Sequence, residues 1–75
     1  MKILLFGELT DITKSSSIEI ESAKNIEELK NNIHQKFPPL QNFNYQIAVN
    51  SSLITENITL NKTDEIALLP AFAGG

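Results

Sequence analysis

The chain has 75 residues, 41% of them hydrophobic, with a formal charge of −3 and no cysteine. That length supports one small domain with a thin core, and the missing cysteines exclude disulfides and thiolate metal sites. Six lysines are scattered along the chain and arginine is absent, so the basic patch of a nucleic-acid binder is missing, and no apolar run approaches the about 18 residues of a membrane span.

The opening residues do not have the layout of a signal peptide, so the expectation is a soluble, cytoplasmic protein with neither nucleic-acid nor membrane partners. Residues Lys2 to Phe6 (KILLF) are aliphatic and aromatic, and Gly7 punctuates their end, which predicts a first strand. Glu8 to Ser16, with its threonines, Asp11 and serines, reads as a loop or wide turn. Ser17 to Glu21 (SIEIE) alternates strictly, with Ile18 and Ile20 on one side and Glu19 and Glu21 on the other. Carboxylates along one face suit a half-exposed edge strand, because they discourage pairing with another chain.

Asn25 then opens a helix in which Ile26, Leu29, Ile33 and Phe37 form one apolar stripe. Asn25 is the cap, Glu28 stands in the capping-box position, Glu27 and Glu28 lie in the first turn and Lys36 in the last. Pro38-Pro39 ends the helix, since neither donates a backbone hydrogen bond. A polar stretch anchored by Leu40, Phe43 and Tyr45 leads to a strand at Gln46 to Asn50. Asn50-Ser51-Ser52 is a turn, Leu53-Ile54 a short strand, Asn61 to Asp64 a second turn, and Glu65 to Leu69 the last strand.

This order, β-β-α-β-(β)-β, predicts an α+β fold: a mixed sheet with one helix packed across one face, the β-grasp or ubiquitin-like arrangement, over residues 1–70. The first and last strands, the most apolar, belong in the middle. The covered face should take Ile3, Leu5, Ile18, Ile20, Ile47, Val49, Ile66 and Leu68. Leu4, Phe6, Ala67 and Leu69 then point the other way, with Leu53 nearby. That second face is either a patch awaiting a partner or one shielded by the loops at 8–16 and 55–60.

Pro70 leads into the residues Ala71 to Gly75, read as a flexible tail. A carboxylate on Gly75 is ionised at neutral pH and is a poor electrophile, so it must be activated, for instance by adenylation, before it can carry a group. Glycine suits that task because it has no Cβ to crowd an enclosed active site.

With KILLFGEL at the start, AVNSSLI in the centre and DEIALLPAFAGG at the end, the sequence resembles the small subunit of molybdopterin synthase, the MoaD-like sulfur carriers, over nearly its whole length. The resemblance implies an adenylate and then a thiocarboxylate on Gly75, with Gly74 giving clearance. It implies an E1-like adenylating enzyme that consumes ATP, a sulfur donor, and transfer to cyclic pyranopterin monophosphate inside a heterotetramer with the large subunit. It further implies partner contacts through Phe6, Leu53 and Leu69, continuing along Pro70, Phe72 and Ala73. No cofactor is expected to be bound permanently, and no metal.

Two positions depart from the family's pattern. Thr10 stands where an arginine is frequent, and Lys62-Thr63 where the turn often contains glycine; threonine is awkward at φ > 0, so a different turn type is expected there. Three other readings compete: a thiamin-pathway sulfur carrier, a ubiquitin-like protein modifier, and a plain interaction module. An autonomous enzyme is not expected, because His34 falls on the helix flank and the acidic pairs Glu27-Glu28 and Asp64-Glu65 read as helix-start and turn charges.

Overall fold

Five strands form one mixed sheet in the order β2-β1-β5-β3-β4 across residues 1–71, the part of the chain that the computed structural model describes. In chain order the elements are β1 (Lys2–Leu5), α1 (Leu9–Thr13), β2 (Ser17–Glu19), α2 (Ile26–Lys36), a 3-10 helix (Pro38–Asn42), β3 (Tyr45–Val49), β4 (Ser52–Ile54) and β5 (Ile66–Pro70). β1 and β5 pair in parallel at the centre, with Ile3 opposite Ile66 and Leu5 opposite Leu68. The acidic β2 lies at an edge, as its alternation predicts.

Alternation along the strands decides which side chains are buried. Ile3, Leu5, Ile18, Ile20, Ile47, Val49, Ile66 and Leu68 all lie beneath α2, joined there by Ile26, Leu29 and Ile33 of the helix. Burying each such side chain stabilises the fold by about 1.5–3 kcal/mol relative to exposure.

The start of α2 is held more fully than the sequence indicates. Its amides ahead of Leu29 lack partners within the helix. Ile26 N–H donates to the Ile58 carbonyl (3.1 Å), Glu27 N–H to Asn57 Oδ1 (2.9 Å) and Glu28 N–H to Asn25 Oδ1 (2.9 Å), and Leu29 N–H then makes the first bond of the helix itself, to the Asn25 carbonyl (3.0 Å). The Asn25 cap is as expected. Glu28, however, reaches back to the amide of Lys24 (3.4 Å) rather than to that of Asn25, so the box closes one residue early.

Two segments differ from expectation. Residues 9–13, read as loop, form the short helix α1, which is too brief to show a 3.6-residue period. It forms because Leu9 inserts fully into the core, and Lys14 closes it at φ 61°, in the left-handed region. Pro38–Asn42, where the prolines read only as the end of α2, forms a 3-10 helix that seats Leu40, the expected anchor, in the core. Proline tolerates the first turn of a helix, where its absent N–H has no partner to lose.

Smaller shifts occur at strand ends. β2 stops at Glu19, although Ile20 stays buried and its N–H bonds to the Met1 carbonyl (2.9 Å). The β3–β4 hairpin turns on Asn50 and Ser51, both at positive φ (52° and 71°), the backbone of a type I′ turn. Thr63 is not at positive φ, and the 61–64 turn closes with Asp64 N–H on the Asn61 carbonyl (3.0 Å).

Candidate functional site

The face of the sheet turned away from α2 carries the candidate site. Leu4 of β1, Ala67 and Leu69 of β5, Ala48 of β3, Leu53 of β4 and Phe6 just beyond β1 line a shallow depression of about 350 Å³, rimmed by Gln46, Ser51 and Glu65. Strand alternation puts them there, since each neighbours in sequence a residue that faces the core. Phe6 is 48% exposed and Leu53 59% exposed, so neither flanking segment shields them. The 8–16 segment instead sends Leu9 to the opposite, helix-covered side.

Beside this face the chain leaves the sheet through Pro70 and Ala71. Odd-numbered residues of β5 bond toward β3, and Ala71 continues the series, donating its N–H to the Asn44 carbonyl (3.1 Å). By the same alternation, a residue at 70 would aim its N–H toward β1. There the Phe6 carbonyl already accepts the Leu9 N–H (3.3 Å), so proline at this position leaves no acceptor unmatched. The predicted site residues Phe72, Ala73, Gly74 and Gly75 lie outside the described residues.

Thr10, at the position where an arginine is frequent, has a local role. Its hydroxyl and its amide both donate to the Gly7 carbonyl, at 2.8 and 3.1 Å, which fastens the first turn of α1.

Asp64 and Glu65 belong to a network that joins the two turns next to the open face. Asp64 accepts from the Asn61 amide (2.8 Å) and from the Asn50 side chain (3.0 Å), and Glu65 N–H donates to Asn50 Oδ1 (2.9 Å). The Asn61 amide first, and the Asn50 side chain second, hold the Asp64 carboxyl below the usual carboxylate range. This aspartate organises turns, as its residue type predicts, and is not paired with a base.

His34 is not simply solvated. Its Nε2 lies 2.8 Å from the Tyr45 hydroxyl, and the two rings meet edge to face at 5.9 Å. Desolvation, and secondarily the Lys30 ammonium, lowers the imidazole's pKa, while burial pushes the Tyr45 phenol up to about 12. The pair ties the end of α2 to the start of β3 on the covered side. Sequence spacing could not reveal it, because the contact depends on where the sheet sets Tyr45. Among the described residues no cluster of His, Cys, Asp and Glu could hold a metal ion, and no helix is long and apolar enough to cross a membrane.

The topology and its single long helix define a ubiquitin-like β-grasp domain. Solved structures agree. SAMP1 from Haloferax volcanii superimposes with a TM-score of 0.81 at 18% identity, covering 100% of this chain and 98% of that one. The small archaeal modifier protein 1 from Methanosarcina acetivorans gives 0.80 at 20% identity, covering 99% and 94%. At such identities the likeness speaks for the fold alone.

Within that fold the chain belongs to the ThiS family, which it matches over residues 3–75. It is a homologue of the molybdopterin synthase sulfur carrier subunit, being 30% identical to that of Mycobacterium tuberculosis (strain ATCC 25618 / H37Rv) over 80 aligned residues that cover 100% of this chain and 96% of the relative. It is also similar to a chain in the complex of subunits 1 and 2 of molybdopterin-converting factor from Helicobacter pylori 26695, with 31% identity, a TM-score of 0.71 and coverage of 99% and 96%.

Proposed function

We propose that this chain is the sulfur-carrying small subunit of a molybdopterin synthase, working in the cytoplasm. The observation that carries this reading is the end-to-end similarity to a molybdopterin synthase sulfur carrier subunit, on a chain whose residues 74–75 are Gly-Gly.

The Gly75 carboxylate attacks the α-phosphorus of ATP held by an E1-like enzyme, forming an acyl-adenylate and releasing pyrophosphate. A donor of sulfide-level sulfur then displaces AMP, so that the C–O bond to phosphate breaks as a C–S bond forms. The resulting thiocarboxylate passes its sulfur to cyclic pyranopterin monophosphate in the large subunit, and hydrolysis returns the carboxylate. Gly74 and Gly75 admit the reacting carbonyl to enclosed sites, since neither adds a Cβ. Phe72, Ala73 and Pro70 extend the contact from the open face, where Phe6, Leu53 and Leu69 dock on the large subunit. An apolar patch free of buried charge suits such docking. Support for that partner comes from the Helicobacter pylori relative, whose structure is of a subunit 1–subunit 2 complex.

The test is intact mass after incubation with ATP, an E1-like enzyme and a sulfur source. Exchange of one terminal oxygen for sulfur is expected; no adenylation under any such condition rejects sulfur carriage. Transfer to the pterin precursor with the large subunit then separates this reading from a thiamin-pathway carrier, and lysine adducts in cells would mark a protein modifier instead.

A further inference from the structure

The two residues that precede the terminal segment are held from both neighbouring strands. On the β3 side Ala71 N–H bonds to the Asn44 carbonyl (3.1 Å), and Pro70 stands opposite Tyr45. On the β1 side the contact is packing. Gly7 sits at φ +58°, and a Cβ added to it would lie 2.7 Å from Pro70 Cγ and 3.3 Å from Cδ. Side chains do not approach at 2.7 Å. The proline ring cannot swing aside as a flexible chain end could, because it is closed on its own backbone within β5. Glycine at 7 therefore meets two demands: left-handed backbone, and room for the ring. Asparagine would satisfy the first demand and not the second, which allows the two to be separated experimentally.

We propose that Gly7 is a positioning residue for sulfur loading: by admitting the Pro70 ring, it sets the direction in which residues 70–71 leave the sheet toward the activating enzyme. This rests on the sulfur-carrier reading above. The physical lever is alignment, because a misplacement of about 1 Å at a reacting centre can lower a rate by about 100-fold while leaving docking intact. Gly7 touches neither the nucleotide nor the reacting atoms; it acts through Pro70.

The test is a double-variant cycle on the full chain, with Gly7→Asn, Pro70→Ala and the two combined, read in two ways. The first readout is NMR amide exchange at Ala71, which needs no partner. Gly7→Asn should speed it about tenfold relative to core amides such as Leu68, and Pro70→Ala by a few-fold. The combined variant should return to the level of Pro70→Ala alone, because alanine has no Cγ to collide with. The second readout is thiocarboxylate formation with an E1-like enzyme that charges the wild type: kcat should fall about tenfold in Gly7→Asn with KM within about twofold, and in the combined variant should return to the level of Pro70→Ala alone.

A purely structural glycine would lower thermal stability while leaving Ala71 exchange and kcat unchanged in the folded protein, and that result overturns the proposal. So does failure of Pro70→Ala to relieve Gly7→Asn. Should Gly7→Asn not fold, Pro70→Ala alone decides, since it removes the packing without backbone strain: unchanged Ala71 exchange counts against the proposal. If no enzyme charges the wild type, the carrier reading falls, while the exchange data still decide the role of Gly7.

Discussion

The two faces of the sheet are built by the same strands and behave as different materials. Under α2, Ile3, Leu5, Ile47, Val49, Ile66 and Leu68 are large, mostly β-branched and almost fully buried. On the other face, residues one step along the same strands give Leu4, Ala48, Ala67 and Leu69, with Phe6 and Leu53 standing well into solvent. A helix-covered face must fill volume closely, so its residues are tuned to one another. An open face has no such demand from folding, and an exposed apolar patch of this kind suits association with a partner. Stability and association should therefore be separable by face.

The largest expected effect comes from the covered side. Leu68 is fully buried at the sheet's centre, and Leu68→Ala should cost about 2–5 kcal/mol, a large share of the about 5–15 kcal/mol that holds such domains together. Urea denaturation measures it, and a cost below 1 kcal/mol would break the comparison from this side. Next comes Phe6→Asp on the open face. It should leave the urea midpoint nearly unchanged and weaken binding to the large subunit by about 2 kcal/mol, about 30-fold, as a buried aromatic anchor does. If it unfolds the protein instead, the open face is structural after all.

Asn25→Ala sharpens how α2 is attached to the covered face. Loss of the 2.9 Å cap to Glu28 should cost about 1 kcal/mol, with the Asn57 and Ile58 contacts preserving the other amides. The smallest effect belongs to the turns at the margin of the open face. Asp64 has a folded pKa below its unfolded value of about 3.9, so its contribution is complete above about pH 4 and is lost as pH falls through the folded value. The stability difference between wild type and Asp64→Asn should thus narrow as acid is added, and a gap that stays constant to low pH would remove Asp64 from the account.

The sheet, its edge strand and the helix stripe were legible because alternation and the 3.6-residue period are properties of neighbouring residues. All eight side chains assigned to the covered face are buried there, and the open set was identified as their complement. What escaped depends on distant contacts or on segments too short to be periodic. Helix α1 is anchored in the core by Leu9, with Ile12 packed beside it, and the 3-10 helix begins with two prolines that locally read as an end. The second half of the α2 cap comes from Asn57 and Ile58, far along the chain. Gly7 could be read as punctuation, but the ring it accommodates belongs to the other end of the sequence. His34 and Tyr45 find each other only once the helix lies across the sheet.

The central place of β5 has a consequence for how the molecule is made. That strand is hydrogen-bonded on both sides, to β1 and to β3, and it comes from residues 66–70. Until it is added, β1–β2 and β3–β4 are two hairpins with nothing between them, and isolated hairpins are marginal in water. During translation the native sheet must therefore wait until the final strand clears the ribosome. Chains that stall or are cut before residue 66 stay open to proteolysis, and the pool of folded molecules is restricted to those that carry the strand leading to the C-terminal segment.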